Sequence, residues 1–361
     1  MKKNMFDLSF YKNKRVLITG HTGFKGTWMC KVLLQAGAVL TGYALNPPTS
    51  PGLFDLCGVE KQMNSVYGDI RDLPHLRSVF EEFRPEIVIH MAAQPLVRTS
   101  YEEPVYTYDV NVMGTVNVLE CVRSCESVKS FLNVTTDKVY RNKEREQGYR
   151  EDEELNGFDP YSNSKSCSEL VTSSYMNSFL REKGVAVSTA RAGNVIGGGD
   201  FAKNRIVPDC VRAAEHMTPI IIRNPKSVRP YQHVLEPVLV YLMICAAQYQ
   251  NASLCGSYNV GPDESECLQT AELTELFCEC WGRETGKKPK WCIKGDGGPH
   301  EAGYLKLDCS RLKESFGWHP VWNLQKTMEK IVRMEAVRIR GGDLAACMEE
   351  QITEFLKEAE A

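Results

Sequence analysis

Short apolar runs of strand character alternate with helical stretches through the first half of the chain, and this rhythm limits the fold more than any other feature. "RVLIT" precedes a helix beginning at about Lys25. Then follow "AVLTGYAL", "NSVYG", "LPHLRSVFEEF", "EIVIHMA", "PVYTYDVNVMGTVNVLECVRS", "SFLNV", a helix after Tyr161, and "VAVSTAR". Strand alternating with helix predicts an α/β fold: a doubly wound parallel sheet covered by helices on both faces. After "ARAGNVIGGGDF" the rhythm loosens. Segments such as "NRIVPDCVRAAEH" and "PIIIRNPKSVRPYQHV" read as a smaller lobe, and the chain ends in amphipathic helices from about Asn323. A length of 361 residues suits two packed lobes better than one core.

The turn after the first strand reads "TGHTGFKG". Gly20, Gly23 and Gly26 permit a tight turn and bring N–H groups against a pyrophosphate at a helix N-terminus, with Thr22, Phe24 and Lys25 in the same turn. The sheet is therefore expected to be Rossmann-like and to hold a dinucleotide. "ALNPPTSP" ends the second strand without an acid or an arginine, leaving Asn46 or Thr49 for a ribose hydroxyl, which favours NAD over NADP. "YGDIRD" places Asp69 and Ile70 at the end of the third strand. The Asp69 carboxylate is a candidate for an adenine amino group or for capping the next helix, where Asp72 competes. "HMAAQP" adds Ala92, Ala93 and Gln94, small enough at the alanines for close cofactor approach. We expect residues 1–193 to form the NAD-binding domain, with late sheet elements also from about 232–262. Residues 194–231 and 263–361 would form the substrate-binding lobe and C-terminal helices.

"TTDKVY" sets an acid and a base, Asp137 and Lys138, at the carboxyl end of an apolar strand, the edge where open parallel sheets bind ligands. In "DPYSNSK", Tyr161 and Lys165 lie four apart at the start of a helix and share one face. A phenol with its ordinary value near about 10 is a poor base at neutral pH, and neighbouring positive charge is what would activate it.

The overall charge narrows the partners. A net charge of -3 gives no basic surplus for nucleic acid or an anionic membrane, and no run approaches a membrane span. Charged residues interrupt the N-terminal segment before a secretory core forms, so a cytoplasmic location is expected. The 14 cysteines form no Cys-x-x-Cys pair and read as small buried residues in a reducing compartment, with no metal site.

Taken together, "TGHTGFKG", "HMAAQ", "TTDKVY" and "YSNSK" resemble the extended short-chain dehydrogenase/reductase superfamily. "GHTGFKGTW", "GYALNPPTSPGLFDL", "AAQPLVRTSY", "ARAGNVIGGGDFAKNRIVPD", "VRPYQHVLEP" and "HEAGYLKLD" resemble its CDP-glucose 4,6-dehydratase branch. The resemblance implies a redox-neutral cycle with NAD. Tyr161 would take the proton of the sugar 4-hydroxyl as C4 yields a hydride, Lys165 would hold the cofactor ribose, and Thr136 would bond the 4-oxygen. Water would then leave from C6 with a proton from Asp137, and the hydride would return to C6. Lys138 stands where the wider dehydratase group has glutamate; it would be either the C5 base or a stabiliser of the enolate. Arg98, Asn194, Arg205 and Arg229 would bind the nucleotide diphosphate region, and His300 and Glu301 the base or ribose. A nucleotide-sugar 4-epimerase is the enzymatic alternative, and a dinucleotide-binding sensor the non-enzymatic one. A homodimer or homotetramer and a role in deoxysugar precursor synthesis complete the expectation.

Overall fold

A computed structural model describes residues 5–295 and 304–360. Six strands of the first half, β1 (Arg15–Thr19), β2 (Val39–Ala44), β3 (Asn64–Tyr67), β4 (Ile87–His90), β5 (Ser130–Val134) and β6 (Ala186–Ala192), join a seventh, Ser257–Val260, in one sheet. Its order is Ser257–Val260, β6, β5, β4, β1, β2, β3, and every neighbouring pair is parallel. The order reverses between β1 and β4. At such a point the connections leave in opposite directions and open a crevice at the carboxyl ends of the strands.

Every residue of β4 and β5 is buried, so this sheet must be covered on both faces. On one face lie the helices Phe24–Gln35 and Leu235–Gln250, which bring Trp28, Val32, Leu33, Val238, Leu239 and Leu242 into the largest core. The second of these is apolar nearly all round, because the C-terminal helix Leu344–Ala359 adds Met348, Ile352 and Phe355 to the same core. Gln248 fixes its end to the sheet, donating to Ser130 Oγ at 2.8 Å and Phe131 O at 3.1 Å. The other face carries Leu73–Phe83, Gly114–Ser124 and Pro160–Tyr175.

The helix expected over "PVYTYDVNVMGTVNVLECVRS" is built in three parts. A π-helical segment, Asp109–Met113, separates Pro104–Tyr108 from Gly114–Ser124, and such segments recur at functional sites. Beyond β6, the helices Ile206–Glu215, Thr270–Thr285 and Leu324–Ile339 enclose a third core around Val207, Phe277, Trp281, Met328 and Ile331. Two short strand pairs accompany these helices, Ile220–Ile222 parallel to Trp291–Ile293 and Val228–Arg229 antiparallel to Leu268–Gln269. Among the described residues no helix is long and apolar enough to cross a membrane.

Candidate active site

The turn from β1 into the Phe24–Gln35 helix is shaped by glycine. Gly20 has φ +79°, and a Cβ there would lie 2.8 Å from Ala92 N. A Cβ on Gly26 would lie 2.2 Å from Gly20 O, so the helix closes onto the turn only with glycine at that position. Gly23 caps the helix with no side-chain hydrogen bond, which leaves its first N–H groups available to an anion. The structure places Phe24 beside Gly197, and Ala92 and Ala93 just after β4.

Around this crest several of the side chains singled out in the sequence are taken up by the protein itself. Thr22 Oγ1 donates to Leu45 O at 2.8 Å, tying the turn to the end of β2. Ile70 is buried against Gly114, where a Cβ would come within 2.4 Å of its Cδ1. The Gln94 amide donates to Thr107 Oγ1 at 2.8 Å and accepts from Leu96 N at 2.6 Å. Its backbone is held by Asn111 of the π segment, at 2.9 Å through N and 3.1 Å through O. Asn111 carries no local motif, so sequence reading passed over it. Asp69 is clamped by Arg71, with Nη2 at 2.7 Å, and this guanidinium holds the carboxyl below its ordinary value. Asp72 caps the next helix, accepting from His75 N at 3.1 Å.

Beside the crest opens a cavity of about 630 Å³, within the range of small-ligand sites. Lys25, Arg98, Thr136, Asp137, Lys138, Tyr161, Asn194, Arg205 and Arg229 all line it, although they come from both halves of the chain. Thr136 caps the short turn Asp137–Val139 and donates from Oγ1 to Asp137 Oδ1 at 3.0 Å. Asp137 is 1% exposed, and its Oδ2 has no hydrogen-bond partner among the described residues. Lys138 Nζ donates to Asp137 Oδ1 at 3.0 Å and to Asn194 Oδ1 at 3.3 Å. Asn194 thus steadies the lysine, a contact that only the tertiary fold creates.

The Pro160–Tyr175 helix is capped by Asp159, whose Oδ1 accepts from Ser162 N at 2.9 Å. This fixes Tyr161 in the first turn and Lys165 one turn later. Burial pushes the Tyr161 phenol up to about 12; a hydrogen bond with Thr136 opposes the shift and the Asp137 charge adds to it. Burial thus outweighs the activation expected from an adjacent ammonium, and Lys165 Nζ donates to Val134 O, 3.2 Å away. Burial pulls Lys165 down to about 8, against the charge of Glu169. Lys25, read as part of the dinucleotide turn, lies in the cavity with its Nζ 5.9 Å from the Tyr241 ring centre. Burial, Arg205 and Lys165 lower it to about 7. Arg205 pairs with Asp200 at 3.2 Å, and Arg229 donates to Val228 O at 2.9 Å. His300 and Glu301 lie outside the described residues.

A glycine crest at the switch point of a parallel sheet, next to a cavity holding Thr136, Tyr161 and the Asp137–Lys138 pair with Lys165 behind it, defines an extended short-chain dehydrogenase/reductase. Within that class the chain belongs to the GDP-mannose 4,6-dehydratase family, whose model matches residues 17–331. It is 46% identical over 358 residues to a CDP-glucose 4,6-dehydratase of Salmonella typhimurium, covering 98% of this chain and 99% of that one. Among solved structures it is similar to a UDP-glucose 4-epimerase of Thermus thermophilus in complex with NAD, with a TM-score of 0.77, 26% identity, and coverage of 91% and 99%. A dTDP-glucose 4,6-dehydratase of Bacillus anthracis in complex with NAD aligns with a TM-score of 0.71 at 20% identity, covering 89% of this chain and 96% of that one.

Proposed function

We propose that this protein is a hydro-lyase that converts CDP-D-glucose to CDP-4-dehydro-6-deoxy-D-glucose and water, supplying a precursor for deoxysugars. The observation that carries the reading is the buried Asp137 carboxyl hydrogen-bonded to Lys138 in the same cavity as Tyr161. An epimerase shares the fold but has no hydroxide to expel, and so no use for an acid and a base side by side.

The crest fits NAD. The left-handed Gly20, the close approach at Gly26 and the open helix N-terminus at Gly23 form a cradle that added side chains would fill. Gly20, Gly23 and Gly26 would hold the pyrophosphate of NAD, which when bound would supply reversible hydride chemistry for C4 and C6. Tyr161 would act as the phenolate, a form favoured by the positive charge of the bound oxidised cofactor, and its Oη would receive the 4-hydroxyl proton while Thr136 steadies the 4-oxygen. The 4-ketone so formed acidifies C5–H. One proton passing along the 3.0 Å Lys138–Asp137 hydrogen bond turns an ammonium–carboxylate pair into an amine and a carboxylic acid. These are the two partners elimination requires: the amine takes the C5 proton, and the acid protonates the departing C6 oxygen. The ion pair is thereby restored, and the Lys138 ammonium is placed to return a proton to C5 as C6 is reduced. Arg98, Arg205 and Arg229 give the cavity the positive wall a diphosphate needs, and guanidinium forks suit its oxygens.

This reading includes a cytoplasmic location, supported by 14 free cysteines, as a reducing compartment maintains. It also includes a homodimer or homotetramer. Val105, 82% exposed, joins exposed Tyr108, Met113, Leu170 and Phe179 on the helices that cover one sheet face. The test is a mass-spectrometric assay with CDP-glucose, UDP-glucose, dTDP-glucose and GDP-mannose, with and without added NAD+. Loss of one water from CDP-glucose alone is expected; epimerisation or mere binding would overturn the assignment.

A further inference from the structure

Behind the cavity wall lies a second ion pair to which no role has been given. Glu169 and Arg191 are 2% and 3% exposed at the side chain, and their closest approach is 2.9 Å. Glu169 follows Lys165 by one helical turn, so Tyr161, Lys165 and Glu169 form one stripe along the Pro160–Tyr175 helix. Its Oε1 accepts from Thr135 Oγ1 at 2.5 Å and from Arg191 Nε at 3.0 Å. Oε2 accepts from Thr189 Oγ1 at 2.7 Å and from Arg191 Nη2 at 2.9 Å. Arg191 Nη1 continues to Tyr140 Oη and Glu151 O, each at 2.9 Å.

Those contacts fall on the two ends of the reactive segment. Thr135 immediately precedes Thr136, and Tyr140 follows the Asp137–Val139 turn. The same helix holds the segment elsewhere: Lys165 Nζ donates to Val134 O at 3.2 Å, and Ser166 Oγ to Val139 O at 2.7 Å. Asn133 Nδ2 adds contacts to Ser168 and Thr172 at 2.9 and 2.8 Å. The strand end and the helix are therefore locked in one register, with a fully bonded ion pair at the centre of the lock.

We propose that Glu169, paired with Arg191, is a positioning residue for catalysis: through Thr135 and, by way of Arg191, Tyr140 it fixes the 135–140 segment against Tyr161 and Lys165. Other groups facing Lys165 are Lys25 from the first helix and His90 from β4. Glu169 is the carboxylate that opposes the effect of burial on Lys165. Without it, the ammonium gives up its proton more readily, and the acid–base segment loses the tie at Thr135.

The role rests on the dehydratase reading, and the experiment separates the two. The NAD-loaded wild type is assayed for loss of water from CDP-glucose; absence of turnover there would speak against the reading, before any variant is considered. With an active wild type, Glu169→Gln is expected to lower kcat about 10- to 100-fold, as small displacements of reacting groups do, with KM for CDP-glucose nearly unchanged. The alkaline limb of the kcat profile should also move to lower pH. Wild-type kcat, or a uniform loss at every pH with the limb unmoved, would overturn the proposal. Should Glu169→Gln fail to fold, Thr135→Val removes the tie while keeping the ion pair. A severalfold fall in kcat without a change in melting temperature supports the role, and unchanged kcat refutes it.

Discussion

Two ion pairs flank the same strand end and differ in how completely they are satisfied. Glu169 and Arg191 are both almost fully buried, and both carboxylate oxygens carry two hydrogen bonds. In the other pair only Asp137 is buried. Lys138 remains 29% exposed at the side chain toward the cavity, and Asp137 Oδ2 has no hydrogen-bond partner among the described residues. A buried carboxylate oxygen without a partner is costly and calls for a reason. A saturated pair has no spare valence and can only hold its neighbours; an unsaturated one is open to substrate and to proton exchange. The difference supports the proposed division, with position for the first pair and chemistry for the second.

The sharpest way to break this comparison is to neutralise the reactive pair. Asp137→Asn should lower water elimination by roughly 10²- to 10⁴-fold, the usual worth of a positioned acid. C4 oxidation should survive, visible as reduced cofactor by its absorbance, and melting should be little changed because the lost charge had an unfilled oxygen. Arg191→Met should show the reverse emphasis in urea denaturation. It strands Glu169 in the interior and is expected to cost about 3–5 kcal/mol of stability.

A smaller effect follows from pH. Burial lowers Lys165 to about 8, and its working form is the ammonium, present below that value. Activity should therefore hold below about pH 8 and decline above it, as a kcat profile across alkaline buffers would show. Arg141 and Glu154 provide the control: they pair at 3.3 Å with side chains 59% and 52% exposed. Arg141→Ala should change stability by less than about 1 kcal/mol, since solvent screens such pairs.

Gly20, Gly23 and Gly26, the Asp137–Lys138 dipeptide and the Tyr161–Lys165 spacing are local patterns, set by one turn or one helix, and they were legible in the sequence. The parallel sheet was legible for the same reason, through alternating runs. Glu169 lay in plain view on the Tyr161 face, but its partner Arg191 is on β6, and nothing in either residue's neighbourhood signals the pairing. Asn194 was read as a diphosphate contact, while its Oδ1 meets Lys138 across 56 positions of chain. Thr22, Ile70 and Gln94 stand in cofactor motifs, yet a backbone carbonyl, core packing, and Thr107 with Leu96 N respectively claim their side chains. Which of several partners a polar group takes is decided by tertiary proximity, and that is absent from spacing.

In the proposed cycle the hydride leaving C4 returns within the same molecule to C6 while Asp137 and Lys138 remove water. The most direct measurement uses CDP-glucose carrying deuterium at C4, with the product analysed by mass spectrometry and NMR. The account predicts loss of one water with the deuterium retained in the new C6 methyl group. Deuterium still at C4 of an epimerised sugar, or lost to solvent, would contradict it.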